Sequence, residues 1–348
     1  MAIIILSNIM DTFNALMENN TSIQTIAFIL FSIYILNTYF FNRSKSIYVS
    51  ELYIYPIKGC GGIRMEKISM CSTGFKHDRR WLIVNSKGKF ITQREKPELC
   101  NILPIVKDDG TLILRGPNMW DLAVPTINAE TKFIDVTIWD DTVYNCPDQG
   151  DEASDWINDY LDTDGYRLVW MDTPLNTIRH APKKHSKHNA LNGKLPFISF
   201  ADAFNYLILG QESLNDLNYK LAKKRAPTLE MNRFRPNIVT IGGKPYEEDT
   251  YNHIKIGTYN FIGVKHCTRC IVTTTNQLTA EQAGIKGEPL KTFRTYRRDP
   301  NQNDKIVFGE NLSSLLPTYN DLSKLHKFSG VLRVGDKIDV ITRKHRGF

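Results

Sequence analysis

Most of the chain alternates short apolar runs with polar turns, a pattern that predicts β-strands. The stretch SIYVSELYIYPI at 46–57 is rich in the Ile, Val and Tyr residues that strands favour. WLIVNSKGKFITQ at 81–93 predicts a hairpin around an Asn-Ser-Lys-Gly turn. Further strands are expected at 112–115, 131–139 and 142–145.

Helical patterns are few. A helix is predicted at 153–161, because two acidic residues precede it and carboxylates stabilise a helix N-terminus. A second is predicted at 213–224, with Ser213 as its N-cap and leucines 214, 217 and 221 on one face. Together these patterns indicate a β-rich α+β protein.

The N-terminus differs in character from the rest. Residues 23–41 carry no charge over 19 positions, and about 20 apolar residues are needed to cross a bilayer. A signal peptide and a buried helix are the alternatives, but the run is long and uniformly apolar. Arg43 and Lys45 follow it, and positive residues stay on the cytoplasmic side. We therefore predict one transmembrane helix with the C-terminal bulk in the cytosol.

Composition narrows the function classes. The chain has 348 residues, a net charge of +7 and 42% hydrophobic residues. These values are typical of a globular, mildly basic protein, so no nucleic-acid partner is predicted. Six cysteines at irregular spacings in a chain of this length do not suggest a disulfide framework.

Two cysteines three positions apart pose the main chemical question, in KHCTRCIVTTTN at 265–276. A structural zinc site needs four ligands, and no second cysteine pair is present. A redox dithiol needs a helix after it, whereas the β-branched run 271–275 predicts a strand. The third option is a single thiolate ligand to a soft, redox-active metal such as molybdenum held by dithiolene sulfurs. Such a cofactor carries a phosphate, for which Lys58, Arg79, Arg235 and Arg269 are candidate partners.

Several motifs in order resemble a known family. LYIYPIKGCGG at 52–62 and GFKHDRRWLIVNSKGKFITQREKPEL at 74–99 are similar to the β-barrel domain that precedes the MOSC domain. NRFRPNIV, HCTRCIVTTTN, PLKTFRTYR, FGENL and RVGDKIDVI resemble the MOSC domain itself. The resemblance implies a tail and anchor at 1–45, an N-terminal β-barrel domain at 46–178 and a MOSC β-barrel domain with the cofactor site at 179–348.

With its anchor, the chain resembles the amidoxime-reducing members of this family. The resemblance implies a molybdenum-cofactor-dependent reductase of N-hydroxylated compounds such as amidoximes and hydroxylamines, and it leaves nitrite open. It implies electrons from NADH through cytochrome b5 reductase and cytochrome b5. It also implies the mitochondrial outer membrane, with the enzyme facing the cytosol. The oligomeric state stays open, with a monomer as the default.

The resemblance also assigns site residues. The metal thiolate is Cys270, and Asp202 matches an acidic position near the site. From its place beside the ligand, Arg269 is predicted to steady the anionic metal unit, and Asp202 is a candidate proton relay. Cofactor contacts are assigned to Lys58, Gly59, Arg79, Arg235, Asn237, Arg269 and Cys270. An alternative reading makes Asp202 a helix cap before residues 203–209.

The chain departs from the family pattern at two places. Ala203 and Phe204 stand where relatives tend to have hydroxyl residues, and Asn276 stands near a usual aspartate.

Two rival functions stay open: a molybdenum cofactor carrier, and a membrane-tethered MOSC scaffold without turnover. No pyridoxal phosphate is expected, because only about 45 residues precede the barrel. The basic run 179–188 is predicted to be an exposed loop, and Trp81, Trp139 and Trp156 are predicted core residues.

Overall fold

The computed structural model describes Ser32 and residues 46–124, 131–171, 179–182, 195–314 and 330–345. The described strands, in chain order, are β1 (Ile47–Ile54), β2 (Ile63–Met65), β3 (Lys67–Cys71), β4 (Gly74–Phe75), β5 (Trp81–Val84), β6 (Ile105–Val106), β7 (Leu112–Leu114), β8 (Leu122–Ala123), β9 (Phe133–Ile138), β10 (Asp141–Pro147), β11 (Arg167–Trp170), β12 (Arg179–His180), β13 (Phe197–Ile198), β14 (Tyr206–Gly210), β15 (Ile238–Ile241), β16 (Tyr251–Ile256), β17 (Tyr259–Thr268), β18 (Arg298–Asp299), β19 (Lys305–Ser314), β20 (Gly330–Arg333) and β21 (Lys337–Arg343). The α-helices are α1 (Asp151–Leu161), α2 (Gln211–Lys223) and α3 (Leu290–Phe293). Short 3-10 helices lie at Pro97–Asn101, Met231–Phe234, Glu247–Thr250, Ile271–Thr274 and Pro300–Gln302.

Seven strands form a closed barrel in the order β14-β15-β1-β21-β16-β17-β19, and β14 pairs back with β19. All neighbours are antiparallel except β14 and β15. The first strand, β1, lies in this barrel, with Leu52 opposite Ile238 and Ile47 opposite Ile338. The predicted strand near the start of the chain is therefore confirmed, and the domain border at 178 and 179 stays a prediction.

A second set of small sheets comes from residues 81–170. Here β5 pairs with β11, β9 with β10, and β7 with both β6 and β8. Helix α1 buries Trp156 and Ile157 in one apolar cluster with Trp81 and Leu99. Val84 and Phe90 pair across the predicted turn, so the hairpin is confirmed although its second arm is a single bridge.

The fold class predicted from the sequence is wrong in one part, the transmembrane helix before the two domains. In the described ranges, no helix is long and apolar enough to cross a membrane. The longest of these, α2, has 13 residues, whereas about 20 are needed. The predicted span at 23–41 lies outside the described residues apart from Ser32. The described residues form a β-rich α+β fold that contains no such helix, and the single-pass topology loses its support.

Two local predictions also need correction. Residues after Cys270 form a 3-10 helix instead of a strand, because the hydroxyls of Thr273 and Thr274 donate to carbonyls three residues back, at 2.9 and 2.7 Å. Ser213 is not an N-cap, because α2 begins two residues earlier. Its hydroxyl instead donates to the buried Glu248 carboxylate at 2.8 Å.

Candidate functional site

The turn after β1 presents Lys58 to the site. The Lys58 backbone N–H donates to the carbonyl of Trp81 at 2.9 Å, which fixes the turn against β5. Gly59 has a φ of +88°, a left-handed conformation that strains any residue with a Cβ. Its carbonyl accepts a 2.6 Å hydrogen bond from Gln93 Nε2. Two backbone anchors therefore aim the Lys58 side chain in one direction.

Lys58 and Asp202 form an ion pair across the cleft. Lys58 Nζ lies 2.6 Å from Asp202 Oδ1, which also accepts a 2.9 Å hydrogen bond from Trp139 Nε1. The Lys58 side chain is 8% exposed, whereas the Asp202 side chain is 63% exposed. Burial works to raise the pKa of Asp202, but the Lys58 charge outweighs it and holds that pKa well below its usual range. Burial lowers the pKa of Lys58 despite the partner carboxylate.

Two arginines share one aromatic ring. The guanidinium carbons of Arg79 and Arg235 lie 4.4 and 4.3 Å from the ring centroid of Tyr55. Arg79 also pairs with Asp78 at 2.5 Å and donates to Asn237 Oδ1 at 3.0 Å. Burial lowers the pKa of Arg235, and the Arg79 charge adds to that effect. Within the described ranges the Arg235 side chain has no hydrogen-bond acceptor, so its charge is available to an anion.

Asn237 contributes to the site by bonding to Arg79, because its carboxamide is already hydrogen-bonded within the chain. Besides accepting from Arg79, its Oδ1 accepts from the Leu207 backbone N–H at 3.2 Å, and its Nδ2 donates to the Tyr53 carbonyl at 3.2 Å. The residue is 2% exposed. The carboxamide is therefore a buried brace between β14, β1 and the arginine.

Arg269 is held by backbone carbonyls. Its Nε donates to the carbonyl of Phe308 at 2.9 Å, and its Nη1 donates to that of Phe234 at 3.0 Å. In the part of the chain that the structure describes, Nη2 is buried and has no partner. A buried guanidinium nitrogen without an acceptor costs free energy, which indicates that a ligand supplies the acceptor.

Cys270 stands next to Arg269, at the residue before the 3-10 helix Ile271–Thr274. Arg94 Nη2 donates to its sulfur at 3.4 Å. The Arg94 guanidinium carbon in turn lies 4.5 Å from the ring centroid of Trp139. The structure thus brings the Cys270 sulfur within hydrogen-bond distance of Arg94, which comes from the N-terminal half of the chain.

Sequence reasoning missed Arg94 and misplaced Trp139. Arg94 lies inside a motif that carried the resemblance, but a basic residue in a loop looks like any surface charge. Trp139 was predicted as core and is 41% exposed, because it occupies the turn between β9 and β10 with a φ of 54°. Trp81 and Trp156 are buried, as predicted.

Two other predictions change in the structure. The helix-cap alternative for Asp202 is wrong, because residues 206–210 form β14. Arg179 is not part of an exposed loop: it is 4% exposed, lies in β12 and pairs with Asp141 at 2.9 Å. Residues 183–188 of that run lie outside the described residues.

The departures from the family pattern have structural explanations. Phe204 is buried in an apolar cluster with Ile198 and Val264, so its side chain serves packing. Asn276 Oδ1 accepts a 2.9 Å hydrogen bond from the Leu278 backbone N–H and shapes the loop after Cys270. Both residues stabilise loops that border the cleft.

The residues present fit a cofactor that brings most of its own metal ligands. In the described ranges, no group of three His, Cys, Asp or Glu side chains is placed to hold a metal ion. The zinc alternative therefore gains nothing from the structure. A single cysteine, the partnerless Arg269 Nη2 and the free Arg235 suit an anionic group whose metal needs one protein thiolate.

Comparison with known proteins shows the family of the chain. Residues 46–164 match the MOSC N-terminal beta barrel domain, and residues 197–339 match the MOSC domain. Mitochondrial amidoxime reducing component 2 of Bos taurus is 33% identical over 304 residues, which cover 83% of this chain and 82% of the relative. Mitochondrial amidoxime-reducing component 1 of Homo sapiens is 30% identical over 295 residues, with coverage of 83% and 82%. The chain therefore belongs to the MOSC-domain family that includes the mitochondrial amidoxime reducing components.

Proposed function

We propose that this chain is a molybdenum-cofactor-dependent reductase of N-hydroxylated compounds, with amidoximes and hydroxylamines as substrates. The observation that carries the proposal is the pairing of one thiol, Cys270, with neighbouring arginines that have no carboxylate partner in the described ranges. Arg94 contacts the sulfur, and Arg269 Nη2 is buried without an acceptor. A cleft of this kind favours an anionic ligand with a soft metal.

Each residue has a distinct part in holding the cofactor. Cys270 would be the protein thiolate ligand. Lys58, Arg79, Arg235 and Arg269 would bind the phosphate and the pterin, and Gly59 and Asn237 would hold Lys58 and Arg79 in place. When bound, the molybdenum cofactor supplies the two-electron chemistry that breaks an N–O bond.

The Lys58–Asp202 pair is suited to supplying protons. Reduction of an N–OH group to N–H and water consumes two electrons and two protons. Because the pKa of Asp202 is depressed, the carboxylate is ionised at neutral pH and the proton of the pair resides on Lys58 Nζ. Asp202 would thus orient Lys58 as the proton donor, instead of acting as a simple acid.

The electron donors follow the family resemblance, and the location follows the names of the relatives. We extend to this chain the supply of electrons from NADH through cytochrome b5 reductase and cytochrome b5, which the resemblance implies, and a mitochondrial site, which the names of the relatives state for those proteins. Lys223 and Lys224 at the end of α2 offer positive charge to an acidic partner. Such an encounter is steered by charge and weakens with salt.

A turnover assay with the full chain tests the proposal. The protein, produced in a host that makes the cofactor, is mixed with NADH, cytochrome b5, its reductase and an amidoxime. NADH oxidation matched by amidine formation, and abolished in Cys270→Ser, supports the reductase. Bound molybdenum without turnover would indicate a cofactor carrier. Neither molybdenum nor turnover would indicate a scaffold.

A further inference from the structure

We infer that Arg94 positions the sulfur of Cys270 and that Trp139 positions Arg94. The inference rests on the proposed function, in which that sulfur is the metal ligand. It concerns two residues outside the cofactor contacts assigned above.

The Arg94 guanidinium makes its contacts within the site. Its Nη2 lies 3.4 Å from Cys270 Sγ, within the range for a hydrogen bond to sulfur. In the ranges described, the charge has no carboxylate within ion-pair distance. Its electrostatic partners are instead the sulfur, the face of the Trp139 ring and the nearby Asp202 charge. A solvated surface arginine would not need these three contacts at once.

The backbone that carries Arg94 is docked on the loop that follows Cys270. The Arg94 N–H donates to Thr92 Oγ1 at 3.1 Å, which closes a tight turn. Gln93 Oε1 accepts from Gln277 Nε2 at 3.0 Å, and the Gln93 carbonyl accepts from Gln282 Nε2 at 2.8 Å. The distance between Arg94 and Cys270 is therefore set by amide hydrogen bonds between the two loops.

Trp139 holds the other side of the guanidinium. Its ring meets Phe90 edge to face at a centroid distance of 4.9 Å, and its Nε1 donates to Asp202. The ring cannot turn away without losing both contacts. A continuous chain of contacts results, running from Lys58 through Asp202, Trp139 and Arg94 to Cys270.

A charged donor aimed at a metal ligand has a defined effect. Hydrogen bonds to a ligand atom fix its orientation and tune the metal, and their removal typically lowers metal affinity or activity by about 10–100-fold. Arg94 is placed to do this for the Cys270 sulfur. Trp139 contributes by keeping the guanidinium plane against the ring.

The test compares cofactor retention in full-length variants made in a cofactor-producing host. Arg94→Met and Trp139→Leu remove the donor and its support, and Trp139→Phe keeps a ring face under Arg94. Arg115→Met is the matched control, because Arg115 is exposed and bonded to Asp121. The readouts are the rate of cofactor release, the paramagnetic molybdenum spectrum of the partly reduced protein and the thermal melting temperature.

We expect Arg94→Met and Trp139→Leu to release the cofactor about tenfold faster than the parent and to shift the molybdenum spectrum. Trp139→Phe should resemble the parent, as should Arg115→Met. Release rates and spectra of Arg94→Met equal to those of Arg115→Met would overturn the inference and leave the reductase proposal standing. A parent chain without molybdenum would overturn both. If Arg94→Met does not fold, the contrast between Trp139→Leu and Trp139→Phe decides, and equal behaviour of those two rejects the inference.

Discussion

Lys58 Nζ lies 2.6 Å from Asp202 Oδ1, and the two residues are 144 positions apart in the sequence. The pair joins the turn after β1 to the segment before β14. A buried lysine thus meets a carboxylate that solvent still reaches. The Lys58 charge keeps the carboxylate ionised, so the transferable proton lies on the lysine and the aspartate orients it.

Replacing Asp202 with Asn tests this arrangement in two ways. The pKa of Asp202 is held below the value of about 3.9 for an unfolded aspartate, so the stabilisation is present above that pH and disappears as the pH falls through the folded-state pKa. We expect Asp202→Asn to lower the free energy of unfolding by about 1 kcal/mol between pH 5 and 8, since the carboxylate is open to solvent. Denaturant titrations should show that difference shrinking below about pH 4. Full turnover of the variant across the pH range would reject a role in proton delivery.

Arg235 should matter to the ligand more than to the fold. Its guanidinium shares the Tyr55 ring with Arg79, and the neighbouring positive charge opposes its own. Arg235→Met should therefore leave the unfolding free energy of the metal-free chain within about 1 kcal/mol of the parent, while it weakens retention of the phosphate-bearing cofactor. Molybdenum content tests the weaker retention of the cofactor, and melting curves of the metal-free chain test the unchanged stability. A large loss of metal-free stability would show a structural arginine instead.

A buried ion pair next to an exposed one allows a matched comparison. Arg297 Nη1 and Nη2 donate to the two oxygens of Asp249 at 2.7 and 3.0 Å, and both side chains are almost fully buried. Arg298 pairs with Asp304 at the surface. Arg297→Met should cost roughly 3–5 kcal/mol, because it removes both hydrogen bonds that the buried Asp249 carboxylate accepts from the guanidinium. Arg298→Met should cost less than about 1 kcal/mol. Equal losses in urea denaturation would contradict this account of the barrel interior.

Glu248 makes the stability of the barrel depend on pH. Burial, and next the charge of Asp249, raise the pKa of Glu248 to about 7, and the Ser213 hydrogen bond only partly offsets this. Because the folded state holds this proton more tightly than the unfolded state, the contribution to stability falls as the pH rises from about 4 to 7. Glu248→Gln removes that decline. Its stability relative to the parent should therefore improve by on the order of 2 kcal/mol between pH 5 and pH 8, and an unchanged difference would argue against the buried charge.

The strands could be predicted from the sequence because the alternation of apolar and polar residues that marks a strand lies within a few neighbouring positions. β1, β9, β10 and α1 all lie where the pattern placed them. The 3-10 helix after Cys270 could not be predicted from the sequence, because it depends on hydrogen bonds from threonine side chains to nearby backbone carbonyls. The strand propensity of β-branched residues does not show whether such hydrogen bonds form. The described residues also gave no support to the span predicted at 23–41.

Site residues could be predicted from the sequence only where the residue type itself indicates the chemistry. Cys270, Arg269 and Lys58 stand in motifs with unusual composition. Arg94 and Trp139 reach the site through tertiary contacts between the hairpin loops and the barrel, and nothing in their local sequence distinguishes them from a surface charge and a core aromatic. Their roles depend on two loops meeting, which spacing along the chain does not encode.

Molybdenum analysis of the purified full chain tests the central proposal most directly. The chain and its Cys270→Ser variant are produced side by side in a host that makes the cofactor, and metals are measured per protein. We predict near-stoichiometric molybdenum in the parent and a clear loss in Cys270→Ser, with both proteins folded. Zinc in place of molybdenum, no metal in the parent, or equal molybdenum in both would contradict the assignment of Cys270 as the metal thiolate.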